Sequence, residues 1–262
     1  LVTAATTTVL NDDFQYDVSR ALDQAPVVAE TSAGGGVPVV FLITRTGHLD
    51  AASWVDYATS SASALQANDF VGGLPSGRVS FSAGQSQAWV TLAVQPDQTI
   101  EANENLILKL TDAPYPALIV NAQATVVIEN DDVRFDIAPV TGSSAPLLEG
   151  TDNVGLTPVV FSVSKHGDVT TDRTVRVTAS GLDATDFDGN VIPDVVLTFS
   201  PGQSEQQVTV WVKQDDTVEA HESLVLSLSD ESDSSTVGTR TATVVIENDD
   251  VQFDIALATG TL

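Results

Sequence analysis

A fifteen-residue stretch occurs twice in this chain with one substitution, and it constrains the possible folds more than any other feature. It reads ATVVIENDDVRFDIA over Ala124–Ala138 and ATVVIENDDVQFDIA over Ala242–Ala256. A weaker copy, ATTTVLNDDFQYDV, covers Ala5–Val18, and the Asn before each Asp-Asp pair recurs after 119 and then 118 residues. A nearly constant interval of this length is typical of tandem repeats.

The repeat interval divides the 262 residues into two complete units with a fragment at each end. We predict that residues 14–132 and 133–250 are the two units, although the interval alone leaves the phase open because the Asn-Asp-Asp joint occurs three times and the body twice. Residues 1–13 are then the last strand of a preceding truncated repeat, and residues 251–262 begin a following one. The chain has no Met and no signal peptide, which indicates a piece of a longer protein.

Alternation of apolar and polar residues predicts half-buried β-strands in both units. The best matched runs are Val39/Phe41/Ile43 with Val159/Phe161/Val163. The turn sequences FSAGQ and FSPGQ separate two strands in each unit, and no window has a helical period. About seven strands in about 118 residues predict an all-β fold, namely two tandem immunoglobulin-like antiparallel β-sandwiches.

The charge balance restricts the partners of the chain. Its 36 acidic residues outnumber 10 basic ones, which gives a net charge of −26. Such a chain repels nucleic acid and anionic membrane surfaces and attracts cations. No apolar run reaches 18 residues, so no transmembrane helix is predicted. The absence of Cys excludes disulfides, zinc–thiolate sites and cysteine nucleophiles, and stability must come from packing or from bound ions.

Many of the acids recur at matched positions in the two units, at strand ends and in turns. The matching has one exception, because Gln98 stands where the second unit has Asp216. The candidate metal ligands are Glu30, Asp69, Asp97, Glu101, Glu104, Asp131 and Asp132 in the first unit, and Glu149, Asp186, Asp215, Asp216, Glu219, Glu222, Asp249 and Asp250 in the second.

Alternate loops of a sandwich meet at one end, so these carboxylates are expected to converge and to repel one another. Only 10 Lys and Arg residues are available to neutralise them. Calcium binds six to eight oxygens at about 2.3–2.6 Å and tolerates irregular geometry. The alternative is a merely solvated acidic surface. Recurrence at matched positions favours Ca²⁺, with two or more ions at each end.

Several motifs recur together in both units. They are Glu30, Asp69-Phe70, Phe81–Ser86, Asp97–Glu104 and Ala124–Asp132 in the first unit, and Glu149, Asp186-Phe187, Phe199–Ser204, Asp215–Glu222 and Ala242–Asp250 in the second. On these residues each unit resembles a Calx-beta domain, the module of sodium/calcium exchanger regulatory loops, integrin beta-4 and many large bacterial surface proteins. The resemblance covers nearly the whole chain.

The resemblance implies an immunoglobulin-like sandwich whose C-terminal loops bind calcium, and it implies that the Asn-Asp-Asp strand closes its unit. Ligands would come from the early Glu, the mid-domain Asp, the Asp-Asp-x-x-Glu stretch and the terminal acids. Gln98 departs from this pattern, which predicts a weaker or missing ion in the first unit. Asn130 and Asn248 precede the terminal acids and are weaker candidates for ligands than the acids.

Catalytic interpretations are less well supported, and we predict that the chain is not an enzyme. His48, His166 and His221 have no histidine counterpart in the other unit, and a catalytic triad is unsupported. Glu219 and Glu222 could be a glycosidase pair. Such enzymes use one tuned pair in a sugar-binding cleft, whereas repeated clusters at unit joints suit ion binding better.

Two functions remain open on the sequence. The first is a calcium-stiffened stalk in a large extracellular or cell-surface protein, a secreted bacterial adhesin for example, with calcium ions and neighbouring repeats as partners. Its adhesion target is not encoded in these residues. The second is a calcium sensor that regulates a transporter, or an accessory region beside an enzyme. The stalk calls for dissociation constants of about 10⁻⁴–10⁻³ M, and the sensor for micromolar ones.

Overall fold

The alternation of apolar and polar residues forms β-strands in the computed structural model of the chain. In the strand Gln87–Val94, Val90, Leu92 and Val94 are buried, whereas the neighbouring Trp89 is 61% exposed. Successive side chains of a strand point to opposite faces of the sheet, so one face packs on a core and the other meets solvent. The predicted half-buried strands are confirmed.

The structure describes residues 7, 12–30, 35–61, 69–70, 72–143, 146–152, 154–168, 170–230 and 235–255. The chain folds as two compact units, residues 1–131 and 132–262. The strand predicted within residues 1–13 lies outside the described residues, apart from positions 7, 12 and 13. The predicted start of a further repeat is described only for residues 251–255, which are exposed and form no strand.

Two sheets form the first unit. Its strands are β1 (Phe14–Arg20), β2 (Val27–Ala29), β3 (Val37–Gly47), β4 (Ser53–Ser61), β5 (Ser76–Phe81), β6 (Gln87–Val94), β7 (Glu104–Asp112), β8 (Leu118–Asn121) and β9 (Gln123–Glu129). One sheet has the order β6-β3-β1-β8 and the other β2-β9-β7-β4-β5. Neighbouring strands are antiparallel except β1 with β8 and β2 with β9, which are parallel.

The second unit repeats this topology. Its strands are β10 (Val133–Pro139), β11 (Leu147–Leu148), β12 (Leu156–Gly167), β13 (Arg173–Ser180), β14 (Asp194–Phe199), β15 (Glu205–Lys213), β16 (Glu222–Asp230), β17 (Ser235–Val237) and β18 (Thr241–Glu247). The sheet orders are β15-β12-β10-β17 and β11-β18-β16-β13-β14. Two 3₁₀ turns, Ala184–Asp186 and Asp188–Asn190, lie between β13 and β14.

Each unit buries its own core between its two sheets, and the predicted pair of immunoglobulin-like sandwiches is confirmed. Phe41 and Phe81 are buried in the first core, and Phe161 and Phe199 in the second. Of the strands described in each unit, seven are six residues or longer and two are shorter edge pieces. Within the described part of the chain, no helix is long and apolar enough to cross a membrane.

The register of the sheets brings several strand ends of each unit together. The start of β3 lies beside the end of β6, and the start of β7 and the end of β2 lie beside the end of β9. The equivalent strands of the second unit pair in the same way. We call this the acidic end of each unit. It comprises Glu30, Asp69, Asp97–Glu104 and Asn130–Asp131 in the first unit, and Glu149, Asp186, Asp215–Glu222 and Asn248–Asp250 in the second.

The far end of β3 carries Arg45, which is 1% exposed although it bears a charge. Its guanidinium donates hydrogen bonds to four backbone carbonyls and one hydroxyl, those of Leu49, Ala51, Ser82, Gln85 and Ser53. Arg45 lies opposite Tyr16 on β1, and Lys165 lies at the same place opposite Phe135 on β10. The Lys165 Nζ is buried and makes no hydrogen bond to any residue that the structure describes.

Candidate metal centres

The acids of the first unit are carried to its acidic end by four separate parts of the chain. Glu30 directly follows β2, and its amide donates to the Glu129 carbonyl at the end of β9. Asp69 is fixed beside the end of β6, because its carbonyl accepts the Gln95 amide at 2.8 Å. The segment between β6 and β7 contributes Asp97 and Glu101, and Glu104 begins β7.

Three of these carboxylates form a compact group. One carboxylate oxygen from each of Asp69, Glu101 and Glu104 lies within 4.8 Å of the other two. Asp69 and Glu104 are each 6% exposed, and Glu101 is half-buried. We call these residues the triad. They have the oxygen chemistry that hard divalent cations such as Ca²⁺ prefer.

The electrostatics of the triad also fit a cation. Burial, the charges of Asp69 and Glu101, and a hydrogen bond with Asp69 raise the pKa of Glu104 to about 7. Burial and the charges of Asp69 and Asp97 raise the pKa of Glu101. Carboxyl groups behave in this way when they must share a proton or a cation to stay close together. A divalent ion among the three oxygens would remove that repulsion.

Two asparagines hold the loop that carries these acids. The Asn130 Oδ1 accepts the Glu101 amide at 3.1 Å, and the Asn130 amide donates to the Asn103 Oδ1 at 3.2 Å. The Asp97 Oδ1 accepts the Thr99 amide at 2.6 Å and closes a tight turn at the start of the loop. The sequence interpretation missed Asn103. Its only signal is its place within the matched Asp97–Glu104 motif.

The remaining candidate ligands of the first unit lie outside the triad. Glu30 is buried and Asp131 is half-buried at the acidic end. Asp132 is 1% exposed, and its carbonyl accepts the Asp168 amide at 2.9 Å, so its backbone folds with the second unit. Among the described residues, the structure therefore brings Asp69, Glu101 and Glu104 together and leaves the ligand roles of the other acids as predictions.

The acids of the second unit line a small cleft. Glu149, Asp186, Glu219, Glu222 and Asn248 surround a space of about 10 Å³, together with apolar groups from the ends of β15 and β18. This space is about the size of a single water molecule or ion. The arrangement brings the early Glu, the mid-domain Asp and the loop acids of the second unit to one place.

Mutual repulsion is strong among these residues as well. Burial, followed by the charges of Asp215, Glu219, Asp250 and Asp186, raises the pKa of Glu149 to about 7. Burial and neighbouring carboxylates, Asp186 first among them, also raise the pKa values of Glu219 and Glu222. The cleft thus holds more negative charge than bare carboxylates favour, which again fits a bound cation.

The terminal acids of the second unit join the same electrostatic group. Burial and the charges of Asp249, Asp215 and Asp216 raise the pKa of Asp250. The Asp249 Oδ1 accepts the Gly150 amide at 2.9 Å, which places Asp249 beside the loop that follows Glu149. Asp216 belongs to this group because its negative charge contributes to the raised pKa of Asp250.

Other side chains of the second unit are committed to backbone amides. The Asp186 Oδ2 accepts the Asp183 amide at 2.7 Å and caps a 3₁₀ turn. The Asp215 Oδ1 accepts the Thr217 amide at 2.7 Å. Among the acidic groups of the described residues, a set of three carboxylates within 4.8 Å occurs only in the first unit.

Two successive β-sandwiches with acids gathered at one end of each define a class of protein, the tandem cation-binding β-module. The sequence model of the Calx-beta domain matches residues 16–132 and 138–250. The chain therefore belongs to the Calx-beta domain family, as the motifs predicted. Domains of this family bind Ca²⁺, and the three carboxylates of the triad suit that ion.

Several solved structures are similar to the chain. CBD12 from CALX1.2 is 18% identical with a TM-score of 0.40, and the match covers 89% of this chain and 100% of that one. The calcium binding domain CBD12 of CALX1.1 is 18% identical with a TM-score of 0.39, over 88% and 98%. The apo-form Calx CBD1 domain is 27% identical with a TM-score of 0.37, over 46% and 100%. None of the curated proteins matches the chain.

Proposed function

We propose that the chain is a calcium-binding structural module in which ions at the acidic ends stiffen the junction between one repeat and the next. The observation that carries this proposal is the triad, whose three carboxylate oxygens lie within 4.8 Å of one another. Such a group is costly without a cation, and calcium accepts its irregular oxygen geometry. The role is structural, and no residue has a catalytic part in it.

Each unit has its own set of candidate ligands for the ion. In the first unit Asp69, Glu101 and Glu104 would hold it, with Glu30, Asp97, Asp131 and Asp132 as further candidates. In the second unit the candidates are Glu149, Asp186, Asp215, Asp216, Glu219, Glu222, Asp249 and Asp250. A bound ion supplies positive charge among these carboxylates, and Asp97 and Asp215 shape the loops that present them.

Chain connectivity supports a mechanical role for the first acidic end. Strand β9 ends at Glu129 and β10 begins at Val133, which leaves three residues between the closing strand of one unit and the first strand of the next. One of them, Asn130, holds the loop of the triad. An ion that binds only the ordered form stabilises it by about 2.7 kcal/mol when its concentration is 100 times the dissociation constant.

The composition suits an extracellular setting. The net charge of −26 favours cation binding, and the absence of Cys leaves bound ions as a source of added stability. Extracellular calcium modules have dissociation constants of about 10⁻⁴–10⁻³ M, so such a stalk stiffens outside a cell and slackens in a chelator. We place the chain in a secreted or cell-surface protein, bacterial and adhesive in our proposal.

Small-angle scattering in calcium and in EDTA tests the stiffening, at constant ionic strength. The wild-type chain should have a longer, better defined maximum dimension in calcium. Glu104→Gln should reduce that response, whereas Asp23→Asn removes the same charge at an exposed loop and should keep it. An unchanged maximum dimension in wild type refutes the stiffening. A micromolar dissociation constant with a shape change would favour the sensor instead.

A further inference from the structure

A two-point clasp joins the acidic loop of each unit to the end of its closing strand. In the first unit the Asn130 Oδ1 accepts a hydrogen bond from the Glu101 amide, and the Asn130 backbone amide donates one to the Asn103 Oδ1. The two bonds run in opposite directions between the same segments. They fix the position of the loop that carries Glu101 and leads into Glu104.

The second unit has a related clasp that shares one equivalent hydrogen bond with the first and differs in the other. The Asn248 amide donates to the His221 Nδ1 at 3.1 Å, and the Asn248 Nδ2 donates to the Thr217 carbonyl at 2.9 Å. His221 occupies the position of Asn103, and Asn248 that of Asn130. A ring nitrogen and an amide oxygen thus accept the same backbone amide. Asn103 and His221 have in common an acceptor for the backbone amide that follows the closing strand. We infer that this acceptor, and not the residue type, is what the position requires.

We propose that Asn130 and Asn248 are positioning residues for the calcium site, with Asn103 and His221 as their acceptor partners. The inference rests on the proposed calcium binding and explains how the acidic loop is prepared for it. The clasp holds the loop in place before an ion arrives, so less conformational freedom is lost on binding. Asn130 acts through the backbone of Glu101, and Asn248 acts through Thr217 and His221 on either side of Glu219.

The clasp also explains why this position is an asparagine, whereas the two positions after it are aspartates. A neutral amide offers both an acceptor and a donor, and the two units use both: Asn130 through its Oδ1 and Asn248 through its Nδ2. A carboxylate at this place keeps only the acceptor and adds charge to a crowded group. Asn130 is 7% exposed, so an added charge there would also be poorly solvated.

The test combines calcium titration with amide hydrogen exchange in EDTA, on the full chain. Asn130→Ala should weaken calcium binding by the first unit about fivefold, and the Glu101 amide should lose about fivefold of its protection in EDTA. Asn130→Asp keeps the acceptor and should restore that protection. Asn121→Ala is the matched control, because it removes an asparagine bonded to Asp17 away from the acidic end, and both readouts should stay at the wild-type value.

The second unit provides an independent check. His221→Asn keeps an acceptor for the Asn248 amide and should preserve its protection and the calcium affinity of that unit, whereas His221→Ala should lower both about fivefold. If wild type binds no calcium, the proposed function fails and this inference fails with it. If wild type binds calcium while Asn130→Ala binds equally well with an equally protected Glu101 amide, only the positioning role is refuted.

Discussion

The acidic ends of the two units use matched residues but arrange them differently. In the first, Asp69, Glu101 and Glu104 meet within 4.8 Å. In the second, Glu149, Asp186, Glu219 and Glu222 line a small cleft, but no three acids among the described residues come as close together. Matched acids therefore do not by themselves fix the geometry of the site.

The far ends of the two units differ in a similar way. Arg45 fills its buried position with five hydrogen bonds, whereas the Lys165 ammonium at the equivalent position has no hydrogen-bond partner among the described residues. Burial lowers the pKa of Lys165. A planar guanidinium with five donors can tie several loop carbonyls together, and a single ammonium cannot. The two units therefore secure their far ends differently, since in the second unit Asp168 accepts hydrogen bonds from Thr170, Thr171 and Arg173.

Removal of the triad carboxylates has the largest expected effect. Glu101→Gln with Glu104→Gln should lower the calcium affinity of the first unit at least about a hundredfold, because residues that merely support metal ligands already contribute about 10–100-fold. Glu219→Gln with Glu222→Gln should lower that of the second unit less, since no three of its described acids lie within 4.8 Å of one another. Calorimetric titration measures both. Equal losses would show that the two sites are equivalent and would break the comparison.

The second largest effect that we expect is a dependence of the free energy of unfolding on pH in the absence of calcium. Burial and neighbouring carboxylates raise the pKa values of Glu104 and Glu149 to about 7 in the folded chain, against 4.5 for an ordinary Glu. The folded state then holds protons that the unfolded state has released, so stability falls as pH rises from about 5 to about 8. The loss is up to about 3 kcal/mol for each group.

Urea unfolding across this pH range in EDTA measures that loss. Calcium should make the free energy of unfolding less dependent on pH, because the bound ion and not a proton then offsets the repulsion between the carboxylates. Glu104→Gln should remove the share of the slope that belongs to Glu104 and leave that of Glu149. Stability that rises with pH in EDTA over the same window would contradict the assigned pKa shifts.

Arg45→Lys sharpens the comparison of the far ends. The substitution leaves several buried carbonyls without donors and should destabilise the first unit by about 1–3 kcal/mol. Arg78→Lys serves as the control, since Arg78 is an exposed residue paired with Asp56 and surface ion pairs contribute little to stability. Thermal melting of the two variants compares them. If Arg45→Lys has no more effect than Arg78→Lys, the hydrogen bonds of Arg45 are not a source of stability.

Gln98→Asp has the smallest expected effect. It gives the first unit the acid that the second has as Asp216, at an exposed position of the loop. One added charge near a surface site contributes about 1 kcal/mol, or about fivefold in calcium affinity. The reciprocal Asp216→Asn should weaken the second unit by a similar factor. Tighter binding by Asp216→Asn would contradict an electrostatic role for this position.

The sequence predicts the fold well because the strands obey a simple period. Alternation places Val90, Leu92 and Val94 on one face, and the structure buries all three. The repeated Asn-Asp-Asp stretch locates the turn between β9 and β10. These features depend on local pattern and on the repeat, and both can be read directly from the residues.

The detail of the sites could not be predicted in the same way. Matching acids does not reveal that Asp186 accepts a backbone amide, because that bond depends on the 3₁₀ turn around it. Likewise His221 looks like an isolated surface histidine until the register of β16 and β18 brings the Asn248 amide to it. Alternation places Arg45 on the same face as Phe41 and Ile43, but it does not reveal the loop carbonyls, distant in sequence, that accept its hydrogen bonds.

Thermal melting of the full chain against calcium concentration tests the central claim most directly, with magnesium at equal ionic strength as the control. We expect a melting temperature that rises steadily with calcium, falls in EDTA, and responds more weakly in Glu101→Gln with Glu104→Gln. A melting temperature that is the same in calcium and in EDTA would contradict the claim that the gathered carboxylates hold a calcium ion.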